Sequence, residues 1–162
     1  MTERLAIIDG MVVGVGDNRY VIPTLAVRES FRPTPEMIST VFDHGKLVRK
    51  RNQLIPLIHL GEMLGIPYRH PDAADGIVIL VESGTIQRCI VVDSLIGKSE
   101  IVIKDLGPVF EAQTSMSGAA IMGDGRVALI LDVDAIVSQS QSGHRGVTTV
   151  HRKDTGGTSS AA

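Results

Sequence analysis

Aromatic side chains are nearly absent from this sequence, with no Trp, two Tyr and three Phe in 162 residues. A core cannot be built around large rings here, so Val, Ile and Leu must fill it, and β-branched residues favour strands. Cysteine is as scarce. The single thiol, Cys89, excludes an internal disulfide framework and fits a reducing cytoplasm. No apolar run comes near the ~20 residues that a spanning helix needs, so direct membrane insertion is not expected. Met1-Thr2-Glu3-Arg4 leads straight into a strand-like segment rather than a secretory leader. Neither sign of charge is in large excess. The net charge of −2 argues against nucleic acid as a partner.

What is present is the balance of a folded domain, 43% hydrophobic and 21% charged. Short apolar runs alternate with turn residues, which is a strand pattern. Leu5 to Val15, Gly16-Asp17-Asn18 and Arg19 to Pro23 read as a hairpin whose tip tolerates positive φ. Leu47 to Lys50, Arg51-Asn52 and Gln53 to Ile58 read as a second. Ile77 to Val81, Glu82 to Thr85 and Arg88 to Val92 give a third; Ala119 to Met122, Gly123 to Gly125 and Arg126 to Leu131 give a fourth. Helix is minor. His59 to Leu64 stops at Gly65 with Pro67 beyond, and Asp132 to Val137 is its counterpart. From Ser138 to Ala162 the chain is polar and without a packing pattern, so this tail is expected to be disordered.

The hairpins repeat. A shift of 73 lays Asn52 to Ile58 on Gly125 to Leu131, and Leu60, Met63 and Leu64 on Val133, Ile136 and Val137. A shift of 69 lays Arg19 to Pro23 on Arg88 to Val92. Two similar β lobes follow, roughly 5–66 and 72–137, each hiding its strand edges by closure, with strand exchange between lobes an open alternative. Charge divides along the chain: residues 1–70 carry nine Lys/Arg against seven Asp/Glu, and residues 71–137 carry four against ten. Such halves could steer head-to-tail contacts.

Chemistry finds little to stand on. Gly14-Val15-Gly16-Asp17-Asn18-Arg19 lacks the last glycine of a dinucleotide fingerprint and opens a strand, not a helix. The five histidines, His44, His59, His70, His144 and His151, lie apart and form no short ligand spacing with Cys89. Cys89 itself sits in an apolar strand that would keep its thiol protonated. Ser83, Ser115 and Ser117 fall in expected turns without the strand–turn–helix context of an esterase elbow. No cofactor, metal or catalytic residue is expected. The basic cluster Lys46, Arg49, Lys50 and Arg51 has no interleaved aromatics to stack bases, which leaves edge protection or a salt-bridged recognition surface.

Arg19-Tyr20-Val21-Ile22-Pro23 with Val27 and Glu29, Arg51-Asn52-Gln53-Leu54-Ile55-Pro56-Leu57, Ile90-Val91-Val92-Asp93, and Gly118 to Asp132 together resemble the CheW-like domain in order and spacing. The similarity covers about residues 5–137. Leu5 to Met11 and Ile101 to Gly107 look more like the C-terminal regulatory domain of the chemotaxis histidine kinase CheA than like the adaptor CheW. An excised kinase piece and a free-standing adaptor both remain open. Asn52 stands where the family has Gly, and Asn reaches left-handed backbone more readily than most residues. The three basic residues before it are also unusual for the family.

The resemblance implies an all-β fold of two interlocked five-stranded SH3-like barrels with short helical turns. It implies a cytoplasmic scaffold, held at the inner face of the membrane through receptor arrays. Its expected partners are the cytoplasmic tips of methyl-accepting chemotaxis receptors, CheW or other CheW-like domains, and the CheA catalytic domain. By position, Val27, Glu29 and Arg51 fall in the receptor-facing groove, with Glu29 and Arg51 expected to form an ion pair. A small-molecule sensor between the lobes is the alternative from another class, and would need a closed apolar pocket.

Overall fold

The computed structural model describes residues 5–41, 45–104 and 116–143. In chain order the strands are β1 (Leu5–Val15), β2 (Asn18–Pro23), β3 (Val27–Phe31), β4 (Ile38–Val41), β5 (Gly45–Lys50) and β6 (Gln53–His59). Helix α1 (Leu60–Leu64) follows, then β7 (Ile77–Ser83), β8 (Ile86–Val92), β9 (Ser94–Lys104), β10 (Met116–Ile121), β11 (Val127–Leu131) and helix α2 (Val133–Gly143). All four expected hairpins form, as β1–β2, β5–β6, β7–β8 and β10–β11.

The strands make two sheets: a closed barrel in the order β1-β2-β11-β10-β9, and a six-stranded sheet in the order β3-β7-β8-β6-β5-β4. The barrel has the five strands expected, whereas the second sheet has six. The sheets do not follow sequential halves. One takes two separate stretches, 5–23 with 94–131, and the other takes the stretch between them, 27–92. The division near residues 66–72 is therefore corrected. The repeat explains why. Its two copies of the last hairpin arm, β6 and β11, each run parallel to the hairpin of the other copy, β6 beside β8 and β11 beside β2. Each half of the repeat thus closes the other half's sheet.

The exchange also redraws the charge map. The barrel segments 5–23, 94–104 and 116–131 carry four Lys/Arg and four Asp/Glu, and segment 27–92 carries eight against seven. Within these segments neither sheet repeats the division between sequence halves, while Asp93, Asp132 and Asp134 lie outside them.

Side-chain alternation sorts the core into three. Val12, Val21, Ile101, Ala120, Ala128 and Ile130 fill the barrel. Val48, Ile55, Val78, Leu80, Cys89 and Val91 line the inner face of the second sheet. The largest core lies where the two sheets meet and includes Met11, Val13, Val15, Tyr20, Ile22, Ile79, Val81, Ile90, Val92 and Leu131, with Ile136 and Val137 of α2. Strands β7 and β8 are buried on both faces, so Cys89 and Val91 point into one core while Ile90 and Val92 point into the next.

Asp93, at the end of β8, ties three segments together. The N–H groups of Gly16 and Arg69 donate to its Oδ2 at 2.6 and 2.8 Å, and the His70 N–H donates to its Oδ1 at 3.0 Å. Gly16 has φ +59°, and a Cβ there would strike the Pro67 carbonyl, so glycine is what lets the β1–β2 tip lie against residues 67–70. Burial pushes the Asp93 carboxyl up, but the three backbone donors outweigh it and hold the group below the usual carboxylate range.

Helix α2 departs from expectation. Asp132 caps it, its Oδ1 accepting from the Ala135 N–H at 3.1 Å, and it continues through Ser138–Gly143, where disorder was expected. The reason is Arg88, only 8% exposed, whose Nε donates to Ser140 Oγ at 2.8 Å while Ser140 Oγ donates to the Val137 carbonyl at 2.9 Å. A buried guanidinium needs acceptors, and the last turn of a polar-looking helix supplies one. The expectation of disorder for residues 144–162 lies outside the described residues.

Two outcomes follow from these contacts. A chain ending at Val137 should be less stable than one ending at Gly143 by about 1–2 kcal/mol, lowering Tm by roughly 3–8 °C in a calorimetric scan. Asp93→Asn should cost about 1–3 kcal/mol at neutral pH. A depressed carboxylate stabilises the fold above its unfolded pKa and ceases to do so as pH falls through its folded pKa. The gap between wild type and variant in urea melts should therefore narrow as pH drops below about 4.

Candidate partner-binding site

Strand β3 is an edge of the six-stranded sheet and carries a bulge. Val27 lies opposite Val81 and Glu29 opposite Leu80, which leaves Arg28 as the extra residue. Without it, Val27 and Glu29 would share a face. With it, Val27 packs against the core between the sheets, and Glu29 turns with Phe31 toward the inner face of the second sheet. Arg28 points outward and pairs with Glu82, its Nε donating to Oε1 at 2.6 Å.

Across the opening of this curled sheet stands the β5–β6 hairpin. Its two tip residues both have positive φ, +52° at Arg51 and +64° at Asn52, the geometry of a two-residue turn that matches strand twist. Lys50, just before the tip, reaches over to β3. Its Nζ lies 3.0 Å from Glu29 Oε1 and 4.0 Å from the centroid of the Phe31 ring, an ion pair and a cation–π contact made by one ammonium. Arg51 stands further off, its nearer guanidinium nitrogen 3.8 Å from Glu29 Oε2, with its side chain 81% exposed. The expected Glu29–Arg51 pair is thus present as the longer of two contacts. Lys50 and Glu29, 19% and 28% exposed, make the inner one.

In the other sheet, the outer face of the barrel carries apolar residues. Ile7 on β1 lies opposite Val102 on β9, and Ile121 on β10 lies opposite Val127 on β11. Extending the Ala119–Lys104 register by two residues sets Val102 opposite Ile121. One row of β-branched side chains therefore crosses four neighbouring strands, each residue between 49% and 72% exposed.

The CheW-like domain pattern matches residues 9–141. The chain belongs to the CheW-like domain family. The chemotaxis protein CheA of Rhizobium meliloti (strain 1021) is 38% identical over 138 residues, which are 85% of this chain and 18% of that protein. CheA of Salmonella typhimurium is 32% identical over 144 residues, 89% of this chain and 22% of that protein. The sensor histidine kinase CheAY of Helicobacter pylori is 32% identical over 146 residues, with 90% and 18% covered. The chain spans about a fifth of the length of these relatives. Among solved structures, the scaffolding protein TtCheW from Thermoanaerobacter tengcongensis shares the fold, with TM-score 0.62, 20% identity, and 78% of this chain and 90% of that one covered.

Within this CheW-like domain the three residues anticipated from sequence are not one cluster. Glu29 and Arg51 are together, and Val27 is separated from them by the bulge. Sequence reasoning missed Lys50 as the nearer partner of Glu29 and Phe31 as its seat. The signal was there in an unusual run of basic residues and one of only three phenylalanines. It also missed the exposed row, because Ile7 and Val102 are neighbours only through the β1–β9 pairing. Ser83 closes β7 with its Oγ donating to Asp134, and Ser117 lies within β10 rather than in a turn; Ser115 lies outside the described residues.

Cys89, buried in the second sheet, has its thiol pushed up to about 12 by burial, with the ammonium of Lys50 and the carboxylate of Glu29 acting in opposite senses above it. A raised thiol pKa leaves almost no thiolate at pH 8. Iodoacetamide at pH 8 should therefore label Cys89 at least about a thousandfold more slowly in the native chain than in urea, as followed by intact-mass spectrometry.

Proposed function

We propose that this chain is a non-catalytic coupling module of bacterial chemotaxis, the CheW-like regulatory domain of a CheA-type kinase. In that role it joins receptor tips to the kinase through protein–protein contacts alone. The observation that carries the reading is the exposed row Ile7–Val102–Ile121–Val127 on the barrel, a sheet separate from the one that carries the β5–β6 hairpin. A contiguous apolar patch is a docking feature, and a module with two distinct faces can hold two partners at once. The row suits a second CheW-like domain. The opening framed by β3 and the β5–β6 hairpin, with Val27, Glu29 and Arg51, suits the receptor. Leu25 supports this second face, since it stands 93% exposed two residues before Val27 in the link between the sheets.

The kinase-type reading is favoured over a free-standing adaptor by the CheA relatives at 32–38% identity. The sensor reading has less support. A cleft lined by Thr40, Lys46, His59, Glu62, Met63 and Gln139 is open and mixed in polarity, where a closed apolar pocket was required.

Calorimetric titration of the chain with a purified CheW protein tests the proposal. Wild type should bind, and Val102→Glu or Ile121→Lys should weaken binding by roughly tenfold or more with little change in Tm, since both side chains are already in solvent. Binding unchanged by either variant would remove the row from the interface. No binding by the wild type would defeat the coupling reading.

A further inference from the structure

Among the described residues the chain passes from one sheet to the other at two places, Thr24–Ala26 and the single residue Asp93. Two short links define an axis for rotation, and the core between the sheets is mostly Val, Ile and Leu. Such packing holds surfaces together without a preferred direction and tolerates small sliding. A third connection is not covalent. Residues 65–72, between α1 and β7, belong to the middle stretch yet reach the tip of the β1–β2 hairpin in the barrel. At their start the N–H groups of Gly65 and Ile66 donate to the Glu62 and Gly61 carbonyls at 3.2 and 3.0 Å. The Tyr68 ring covers Gly61 so closely that a Cβ there would strike it, and it lies 4.2 Å from the His59 ring. Because His59 Nδ1 accepts from the Glu62 N–H at 3.3 Å, its Nε2 carries the proton and donates to the His70 carbonyl at 2.9 Å. On the barrel side Pro67 rests on Gly16, and the N–H groups of Gly16, Arg69 and His70 share the Asp93 carboxylate. The Asp93 N–H itself donates to the Gly14 carbonyl at 3.0 Å. The Arg69–Asp17 pair at 3.1 Å is exposed and adds little; the charge-assisted backbone bonds carry the joint.

We propose that residues 65–72 are a brace that fixes the angle between the two sheets, with His59 as its anchor and Asp93 as its staple. The staple joins the barrel tip and the brace to one carboxylate, so turning the sheets about their two links must break its bonds. Burial pushes the Asp93 carboxyl up and the three backbone donors more than offset it, so the group stays ionised at neutral pH and the brace is a fixed strut. The module therefore moves as one rigid piece, and a displacement imposed on the barrel carries the second sheet with it. The brace is a property of the chain alone and does not depend on the coupling reading.

The test is the distribution of distances between spin labels at Ser39→Cys on β4 and Glu100→Cys on β9, both exposed positions, in a Cys89→Ala background. Double electron–electron resonance should give one narrow distribution for this parent. Asp93→Ala and His59→Ala should each widen it roughly twofold or more. Ile130→Val, which weakens the barrel from within and touches no part of the brace, should leave the width unchanged. Amide hydrogen exchange on the unlabelled chain supplies a second readout. In His59→Ala the Gly16, Arg69 and His70 amides should together lose protection by roughly tenfold or more, although His59 bonds none of those N–H groups. An Asp93→Ala distribution as narrow as the parent's overturns the brace, and so does equal widening by Ile130→Val. Should Asp93→Ala fail to fold, His59→Ala decides: a parental width, or Gly16 exchange at the wild-type rate, overturns the brace. None of these outcomes involves a partner, so the coupling reading stands or falls separately.

Discussion

Two parallel strand junctions, β2 with β11 and β6 with β8, hold the fold together. Every other neighbouring pair is antiparallel, and these two are where the chain crosses from one half of its repeat to the other. Each half of the repeat supplies a strand to its sibling's sheet, and the barrel is complete only when the stretches on both sides of the middle sheet are present. The largest core sits between the sheets rather than inside either. Burial there is mostly Val and Ile, which pack well on pleated surfaces and leave few rotamers to choose between. A chain poor in aromatics gains its rigidity from this layered arrangement.

Rigidity at the centre frees the rims for recognition. The β3 bulge sends one residue of a short edge strand into the inter-sheet core and turns the next toward the opening of the second sheet. The β5–β6 tip places a charged side chain at positive φ, a conformation that L-residues adopt at some cost. Strained or irregular backbone gathers where contacts are made, and here it gathers around Glu29, Lys50 and Arg51. The same ammonium closes the opening of the curled sheet and lies over the strand that holds Cys89. Recognition chemistry and core packing share an element.

Strand-level structure was legible in sequence because it is local. Hairpin tips such as Gly16-Asp17-Asn18 and Arg51-Asn52 announce themselves by residues that accept positive φ, and the offsets of 73 and 69 revealed the repeat. Exchange between lobes could be left open from sequence, but which strands cross was not legible, since a parallel junction between strands more than thirty residues apart leaves no mark in either segment. Strand β9 takes most of its pairing from β1, some ninety residues earlier. Polar Ser138 to Gly143 hid a helical turn whose reason for existing is Arg88, on a distant strand. At the candidate site, family position located Glu29 and Arg51. Which cation stood nearer depended on how the sheet curls, which only the folded structure reports.

The assembly of the barrel from two distant stretches, 5–23 and 94–131, has a consequence in time. On the ribosome, β1 and β2 emerge before the other strands described but gain their barrel neighbours only when β9 and β11 follow, whereas the middle sheet is complete once β8 is out. At about 5–20 residues per second, the first hairpin waits several seconds with an open edge. The apolar face it carries meanwhile is the one that in the folded chain packs against the middle sheet through Met11, Val13, Tyr20 and Ile22. The middle sheet has all of its strands translated before the barrel does, because the barrel draws on the sequence to either side of it.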